Sequence, residues 1–309
     1  IINREKKIAN SINIVMIGVG KWEQALYHDF SQNSEVVISS RSKKDIENFV
    51  SIKEALKYPY IIMAIPAQFV REWMSTHFED KGQSILVAAK GIEVQSGSFL
   101  NEVYETFIPK ERLAFLSGPS FAYEVQQSLH TALVVSAVDE VLAQKFVDAM
   151  PEFIKGYVSA DVTGEEVAGA YKNVIAIAGG VCDGLGLGNN ARAALLARGL
   201  VEMSRFGEAF GAKKDTFLSL GGAGDLFLTA SSKLSRNYRV GIGLAQKKSI
   251  EAILLELGEV AEGVATAQAL FDISEKKGIY LPIAKEVYSM IYEEKDPHSS
   301  VKDLLLPRQ

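Results

Sequence analysis

The feature that most constrains this 309-residue sequence is a change of rhythm near Asp161. From Ile12 to about Ser159, short β-branched apolar runs alternate with longer stretches whose large apolar residues recur every three or four positions. The runs are Ile14–Ile17, Val36–Ser39, Ile61–Ile65, Ile85–Ala89, Leu113–Leu116 and Ala132–Val135, and most end in Gly, Pro or Ser. Nearly continuous hydrophobic runs read as strands covered on both faces, and Trp22–Phe30, Phe69–Phe78 and Phe99–Phe107 read as crossover helices. The pattern predicts an α/β domain with a doubly wound parallel sheet. Beyond Asp161 the strand-like runs vanish. Helical patterns follow at Val162–Val181, Ala191–Phe210, Asn237–Gln246, Glu262–Lys276 and Ile283–Glu293, with Gly-rich turns at Gly184–Gly188 and Gly221–Gly224. The expected organisation is an α/β domain over residues 1–160 and an all-α domain over 161–309.

Composition narrows the function classes. With 48% hydrophobic and 23% charged residues the chain can bury a sizeable core, which excludes intrinsic disorder. A net charge of −5 offers no general attraction for nucleic acid or an anionic membrane, so any anionic ligand must be met by local groups. The lone Cys182 cannot form an internal disulfide or a multi-cysteine metal site, and reads as an inert buried residue in a reducing cytoplasm. His28, His77, His130 and His298 lack ligand spacing, so no metal is expected. The longest Gly/Ala-rich apolar stretch, Asn173–Cys182, falls well short of the roughly 20 residues of a membrane span.

The first strand ends in Gly18-Val19-Gly20, and a helical pattern starts at once. Gly18 lets the chain turn, Gly20 lets backbone approach a pyrophosphate, and free N–H groups at the helix start favour the anion. A plain strand–helix turn is the competing reading. Glu23 stands where a third glycine is usual; it is expected to push helix and strand apart or swing outward, and to compete with the phosphates for the helix N-terminus. The second strand ends in Ser39-Ser40-Arg41 rather than an acidic residue. Arg41 is suited to a 2′-phosphate, which favours NADPH over NADH; a solvated basic helix start is the alternative. Lys90 and the Gly118-Pro119-Ser120 turn follow strands at the rim where open α/β sheets bind ligands, although a lone lysine after a strand is more often simply solvated. Lys172 lies on a helical face of small residues that something can approach closely, substrate or merely another helix. Asp225 and Ser235-Arg236-Asn237 supply a carboxylate and a basic, hydrogen-bonding helix start suited to a phosphate, although the residues taken alone favour a helix cap with a solvated arginine.

Together these stretches resemble bacterial-type NAD(P)H-dependent glycerol-3-phosphate dehydrogenase: Gly18–Leu26, Ala88–Glu93, Leu116–Ala122, Val167–Ile177, Asp183–Glu202, Ala223–Thr229, Ser235–Asn237 and Glu262–Thr266. The resemblance implies a Rossmann domain followed by a helical domain like the C-terminal domain of 6-phosphogluconate dehydrogenase. It implies reduction of dihydroxyacetone phosphate to glycerol 3-phosphate between them, with NADPH or NADH, for phospholipid synthesis. It carries the catalytic proton donor or acceptor to Lys172 and substrate contacts to Lys90, Gly118, Ser120, Lys172, Asp225, Ser235, Arg236 and Asn237. Cofactor contacts fall on Gly18, Gly20, Lys21, Trp22, Arg41, Lys90, Ala122, Arg236, Val260 and Glu262. Desolvation and a second lysine are expected to depress the Lys172 pKa. Glu23 departs from the family pattern and is expected to weaken NADPH binding. The first eleven residues precede the usual family start, and a homodimer is left open. A dehydrogenase for hydroxyacids or hydroxyacyl thioesters, and a non-catalytic NADPH-binding regulator, are the rival readings of the same plan.

Overall fold

The apolar runs of the first half pair into a sheet whose strands are stopped by the turn residues that follow them. The structure is a computed structural model describing residues 12–305, so the reading of the first eleven residues lies outside the described residues. Strands β1 (Asn13–Ile17), β2 (Glu35–Ser39), β3 (Tyr60–Met63), β4 (Ser84–Val87), β7 (Leu113–Ser117), β8 (Thr131–Ala137) and β9 (Ile154–Ser159) form one sheet, ordered β2-β1-β3-β4-β7-β8-β9. A short hairpin, β5 (Ile92–Glu93) and β6 (Ser98–Phe99), forms a two-stranded sheet of its own. Helices α1 (Lys21–Phe30), α2 (Ile52–Ala55), α3 (Val70–His77), α4 (Leu100–Glu105), α5 (Ala122–Gln126) and α6 (Glu140–Asp148) fill the connections. Ile14 faces Val36 on one neighbour and Tyr60 on the other, so β1 lies where the strand order reverses. The carboxyl end of such a strand opens a crevice for ligands.

This Rossmann-like sheet differs from a wholly parallel one in one pairing: β8 runs antiparallel to β7. The connection carries the five-residue α5, which packs on α1. Parallel order resumes at β9. The sequence pattern does not flag β9 because it is an edge strand: Lys155 and Tyr157 face outward, which breaks the apolar run.

The chain divides into two compact units. The first holds the sheet and comprises residues through Ala89 with Asn101–Val162; the second comprises Lys90–Leu100 and the chain from Thr163 onward. The core of the first gathers Ile14, Met16, Leu26, Phe30, Ile38, Ile62 and Leu86. The second is built on α7 (Val162–Gly184), where every residue from Gly164 to Cys182 is buried, the polar Glu165, Glu166, Lys172 and Asn173 included. Around it lie α8 (Gly188–Glu208), α9 (Asp225–Thr229), α10 (Arg236–Ala245), α11 (Ile250–Leu257), α12 (Glu262–Lys277), α13 (Pro282–Tyr292) and α14 (Pro297–Leu305). Tyr171, Val174, Ile175 and Ile177 of α7 meet Phe206, Leu270 and Val287 in this core, each large side chain contributing about 1.5–3 kcal/mol. Among the described residues no helix is long and apolar enough to cross a membrane.

Candidate active site

In the first unit, β1 ends at Gly18, whose φ of +123° is a conformation that only glycine adopts freely, and whose N–H donates to Ser39 O at 2.9 Å. Gly20 then caps α1 with extended backbone and no side chain. The Trp22 indole donates to Ala88 O at 3.1 Å, fixing the start of α1 beside the carboxyl end of β4, and Gln24 Nε2 donates to Val19 O at 2.8 Å. The turn therefore presents backbone N–H groups at the strand-order switch, a site for an anion. Glu23 neither wedges helix from strand nor points outward, contrary to the expectation above. A Cβ at Gly18 would lie 2.5 Å from Glu23 Oε1 and one at Gly20 would lie 2.7 Å from Oε2, so the carboxylate folds back over both glycines. The helix N-terminus attracts it there. Lys21 and Arg41 are exposed, the latter just past β2. After β7, Gly118 has a φ of +106°, Ser120 Oγ donates to Gly118 O at 3.2 Å, and Ala122 opens α5.

In the second unit, Lys172 comes off the middle of buried α7 with 8% of its surface exposed. Its Nζ donates to Asp225 Oδ1 at 2.5 Å and to Thr229 Oγ1 at 3.2 Å. Lys90 Nζ donates to the other carboxylate oxygen, Oδ2, at 2.6 Å. One carboxylate, itself 1% exposed, thus holds two ammonium groups. Asp225 reaches this place because residues 220–224 form a π-turn, closed by Gly224 N donating to Ser219 O at 3.1 Å, which delivers it at the first position of α9. Thr229, one turn further along α9, donates to Asp225 Oδ1 at 3.2 Å. Sequence reasoning missed Thr229, although its spacing of four from Asp225 puts both on one helical face.

The small face around Lys172 has a specific guest. A Cβ at Gly169 would lie 3.0 Å from Lys90 Cδ, so the Lys90 stem crosses α7 one turn before Lys172. The neighbouring Tyr171 is locked from the other side: its hydroxyl donates to Glu202 Oε1 at 2.8 Å, and that carboxylate also accepts the N–H groups of Ile283 and Ala284 at the start of α13. Asn237 Nδ2 donates to Asn173 Oδ1 at 2.9 Å, and Asn237 Oδ1 accepts Gly263 N at 2.9 Å, tying α10 and α12 to the residue after Lys172. Ser235 Oγ accepts Tyr238 N at 3.2 Å and so serves as the α10 cap. Arg236 lies 3.7 Å from Glu259 and keeps 45% of its side chain exposed; Val260 is half-exposed and Glu262 begins α12.

Electrostatics follow from this packing. Burial pushes the Lys172 ammonium down to about 7; Asp225 opposes the fall and Lys90 adds to it. Burial alone would raise the Asp225 carboxyl, but the two ammonium groups hold it below the ordinary carboxylate range. The array is a buried cation poised to hold or release a proton near neutrality, beside a second cation whose side chain is 19% exposed. The structure thus joins Lys90, Lys172 and Asp225 directly and Asn237 through Asn173, while Gly18, Gly20 and Trp22 frame the first turn.

Comparison with known proteins accords with both parts. Residues 43–143 match the family model described as NAD-dependent glycerol-3-phosphate dehydrogenase N-terminus, and residues 161–302 match that described as its C-terminus. A Sulfurimonas denitrificans protein named glycerol-3-phosphate dehydrogenase, NAD(P)+, is 57% identical over 94% of this chain and 98% of its own length. One from Campylobacter jejuni subsp. doylei with the same name is 54% identical over 95% and 99%. The crystal structure of a Coxiella burnetii glycerol-3-phosphate dehydrogenase superposes with a TM-score of 0.89 at 28% identity, covering 96% of this chain and all of that one. The chain belongs to the NAD-dependent glycerol-3-phosphate dehydrogenase family.

Proposed function

We propose that the protein reduces dihydroxyacetone phosphate reversibly to sn-glycerol 3-phosphate with NAD(P)H, supplying glycerol phosphate for glycerophospholipid synthesis. The observation that carries the reading is the buried Lys172–Asp225–Lys90 array, since a ketone reduction needs a proton and positive charge where an alkoxide forms. When bound, the reduced nicotinamide supplies a hydride to the ketone carbon. The first turn fits that cofactor: Gly18 and Gly20 leave a cradle that a Cβ would fill, provided Glu23 moves aside. Gly18, Gly20, Lys21, Trp22 and Ala122 would hold it in the first unit, and Lys90, Arg236, Val260 and Glu262 complete the proposed set. Arg41, exposed past β2, would pair with a 2′-phosphate and makes NADPH the favoured form.

Lys172 Nζ gives its proton to the oxygen that gains negative charge and takes it back in the reverse direction. Lys90 adds a second positive charge, and Asp225 holds both ammonium groups in place. Such a general acid is worth about 10²–10⁴ in rate, or roughly 3–5 kcal/mol of barrier. Arg236 offers the phosphate a planar pair of donors, and Asn237 keeps one amide hydrogen for it. Gly118, Ser120 and Ser235 complete the proposed substrate set. A homodimer acting in the cytoplasm belongs to the same proposal; the free, buried Cys182 suits a reducing compartment, and light scattering reads the assembly.

The test is NADPH oxidation with dihydroxyacetone phosphate run beside unphosphorylated dihydroxyacetone. A strong preference for the phosphate ester is expected, and equal rates would refute the substrate class. Lys172→Met should retain NADPH binding and lose at least about a hundredfold in turnover.

A further inference from the structure

The dinucleotide cradle of the first unit already holds an anion, and that anion belongs to the chain. Glu23 is the third residue of α1, and its side chain runs back across the turn: a Cβ at Gly18 would meet its Oε1 at 2.5 Å and its Cγ at 2.7 Å, and one at Gly20 would meet Oε2 at 2.7 Å. Both glycines leave room for a close-lying ligand, and a carboxylate stands in that room. The position suits it, because an acidic group in the first turn of a helix meets unpaired N–H groups and the positive end of the dipole. Reaching back toward the cap is also the ordinary habit of glutamate at the third helical position.

A pyrophosphate and a carboxylate cannot share those N–H groups. We infer that Glu23 is an internal occupant of the phosphate cradle, an affinity gate whose carboxylate must leave before the pyrophosphate of a dinucleotide enters. Residues on either side are pinned, Trp22 to Ala88 O and Gln24 to Val19 O, so release needs rotation of the Glu23 side chain and no shift of α1. Glu23 is only partly buried, which leaves its side chain a path to solvent. The gate therefore acts on ligands that carry a pyrophosphate and is silent toward those that do not.

This inference rests on the dinucleotide reading above, and the test separates the two. Dissociation constants of NADPH, ADP-ribose and adenosine 2′-monophosphate are measured by calorimetric titration on the native chain, Glu23→Gln and Glu23→Gly. The glutamine keeps size and removes charge; the glycine removes both and guards against a glutamine that stays in place. NADPH and ADP-ribose should bind about two- to thirtyfold more tightly to the variants, the range over which an anion at a helix N-terminus ordinarily acts. Adenosine 2′-monophosphate should bind all three alike. Unchanged NADPH and ADP-ribose affinity in both variants overturns the gate while leaving the function intact. An equal gain for adenosine 2′-monophosphate also overturns it, because the effect would then be one of overall charge. Failure of every version to bind NADPH overturns the cofactor reading and the gate together.

Discussion

Asp225→Asn isolates what the shared carboxylate does for the two lysines. The substitution keeps shape, removes the charge that both ammonium groups bind at 2.5 and 2.6 Å, and turns an amide donor toward one of them. Removing one partner of a buried ion pair ordinarily costs about 3–5 kcal/mol of stability, so thermal melting must show a folded variant first. The more informative effect is on protonation. Asp225 is the group that raises Lys172 against burial, so without it the Lys172 pKa drops below about 7. A drop of about one pH unit would take the protonated fraction at pH ~7 from roughly a half to roughly a tenth. In the proposed reaction ketone reduction uses the protonated lysine, so native activity should be full below about 7 and should decline as pH rises through that value. In the variant the decline begins at lower pH. Oxidation of glycerol 3-phosphate uses the neutral lysine, so its rising limb moves to lower pH as well. The assay is kcat/KM in both directions across about pH 5.5–9. A loss of activity that is uniform across pH, with both limbs unmoved, would refute the assignment of Lys172 as the titrating acid and leave Asp225 a purely structural anchor.

Two further outcomes follow from packing. In Gly169→Ala the new methyl would lie 3.0 Å from Lys90 Cδ, so the flexible Lys90 stem must yield; KM for dihydroxyacetone phosphate should rise several-fold with little change in melting temperature, and an unchanged KM would show that the Lys90 position is not critical. Asp29 of α1 is fully buried, neither of its carboxylate oxygens has a hydrogen-bond partner among the described residues, and burial pushes its pKa up from 3.8 to about 7. An acid raised on folding contributes its full share of stability below about pH 4 and loses it as pH climbs toward 7, so Asp29→Asn should gain on the native chain by at most about 4 kcal/mol between those limits; urea midpoints that keep a constant gap at about pH 5 and pH 8 would sink this account.

What the sequence made legible depends on how local the cause was. Strand runs and long helices follow from side-chain period, so α7 was readable almost to its ends. The cradle glycines were readable because a strand, two glycines and a helix form one local motif. The antiparallel β8 was not, since strand direction depends on where the intervening α5 packs, against α1, and that is a tertiary fact. Nor was the π-turn at 220–224, which looks like a flexible glycine loop until its i+5 bond closes and aims Asp225. For Glu23 the sequence makes the competition for the helix N-terminus legible but not the side-chain direction: instead of wedging helix from strand or swinging outward, it lies back over Gly18 and Gly20 where the dipole is most positive.

The same distinction explains why the chemistry was easier to read than its control. Lys172 is informative in sequence because its helical face is mostly small residues, and a lysine buried against such a face must find a counter-charge or lose its proton. The structure answers with both at once, a carboxylate that keeps the lysine chargeable and a second lysine that keeps it from being too basic. Removing Lys90 from that balance would leave Lys172 and Asp225 a plain one-to-one pair, with the lysine pulled back toward its ordinary basicity and slower to give up its proton near neutrality. The second cation therefore has a part besides the substrate contact proposed for it: burial lowers the Lys172 pKa first, Lys90 lowers it further, and that coupling requires the Lys90–Leu100 segment to fold with the helical unit rather than with the sheet it follows in sequence.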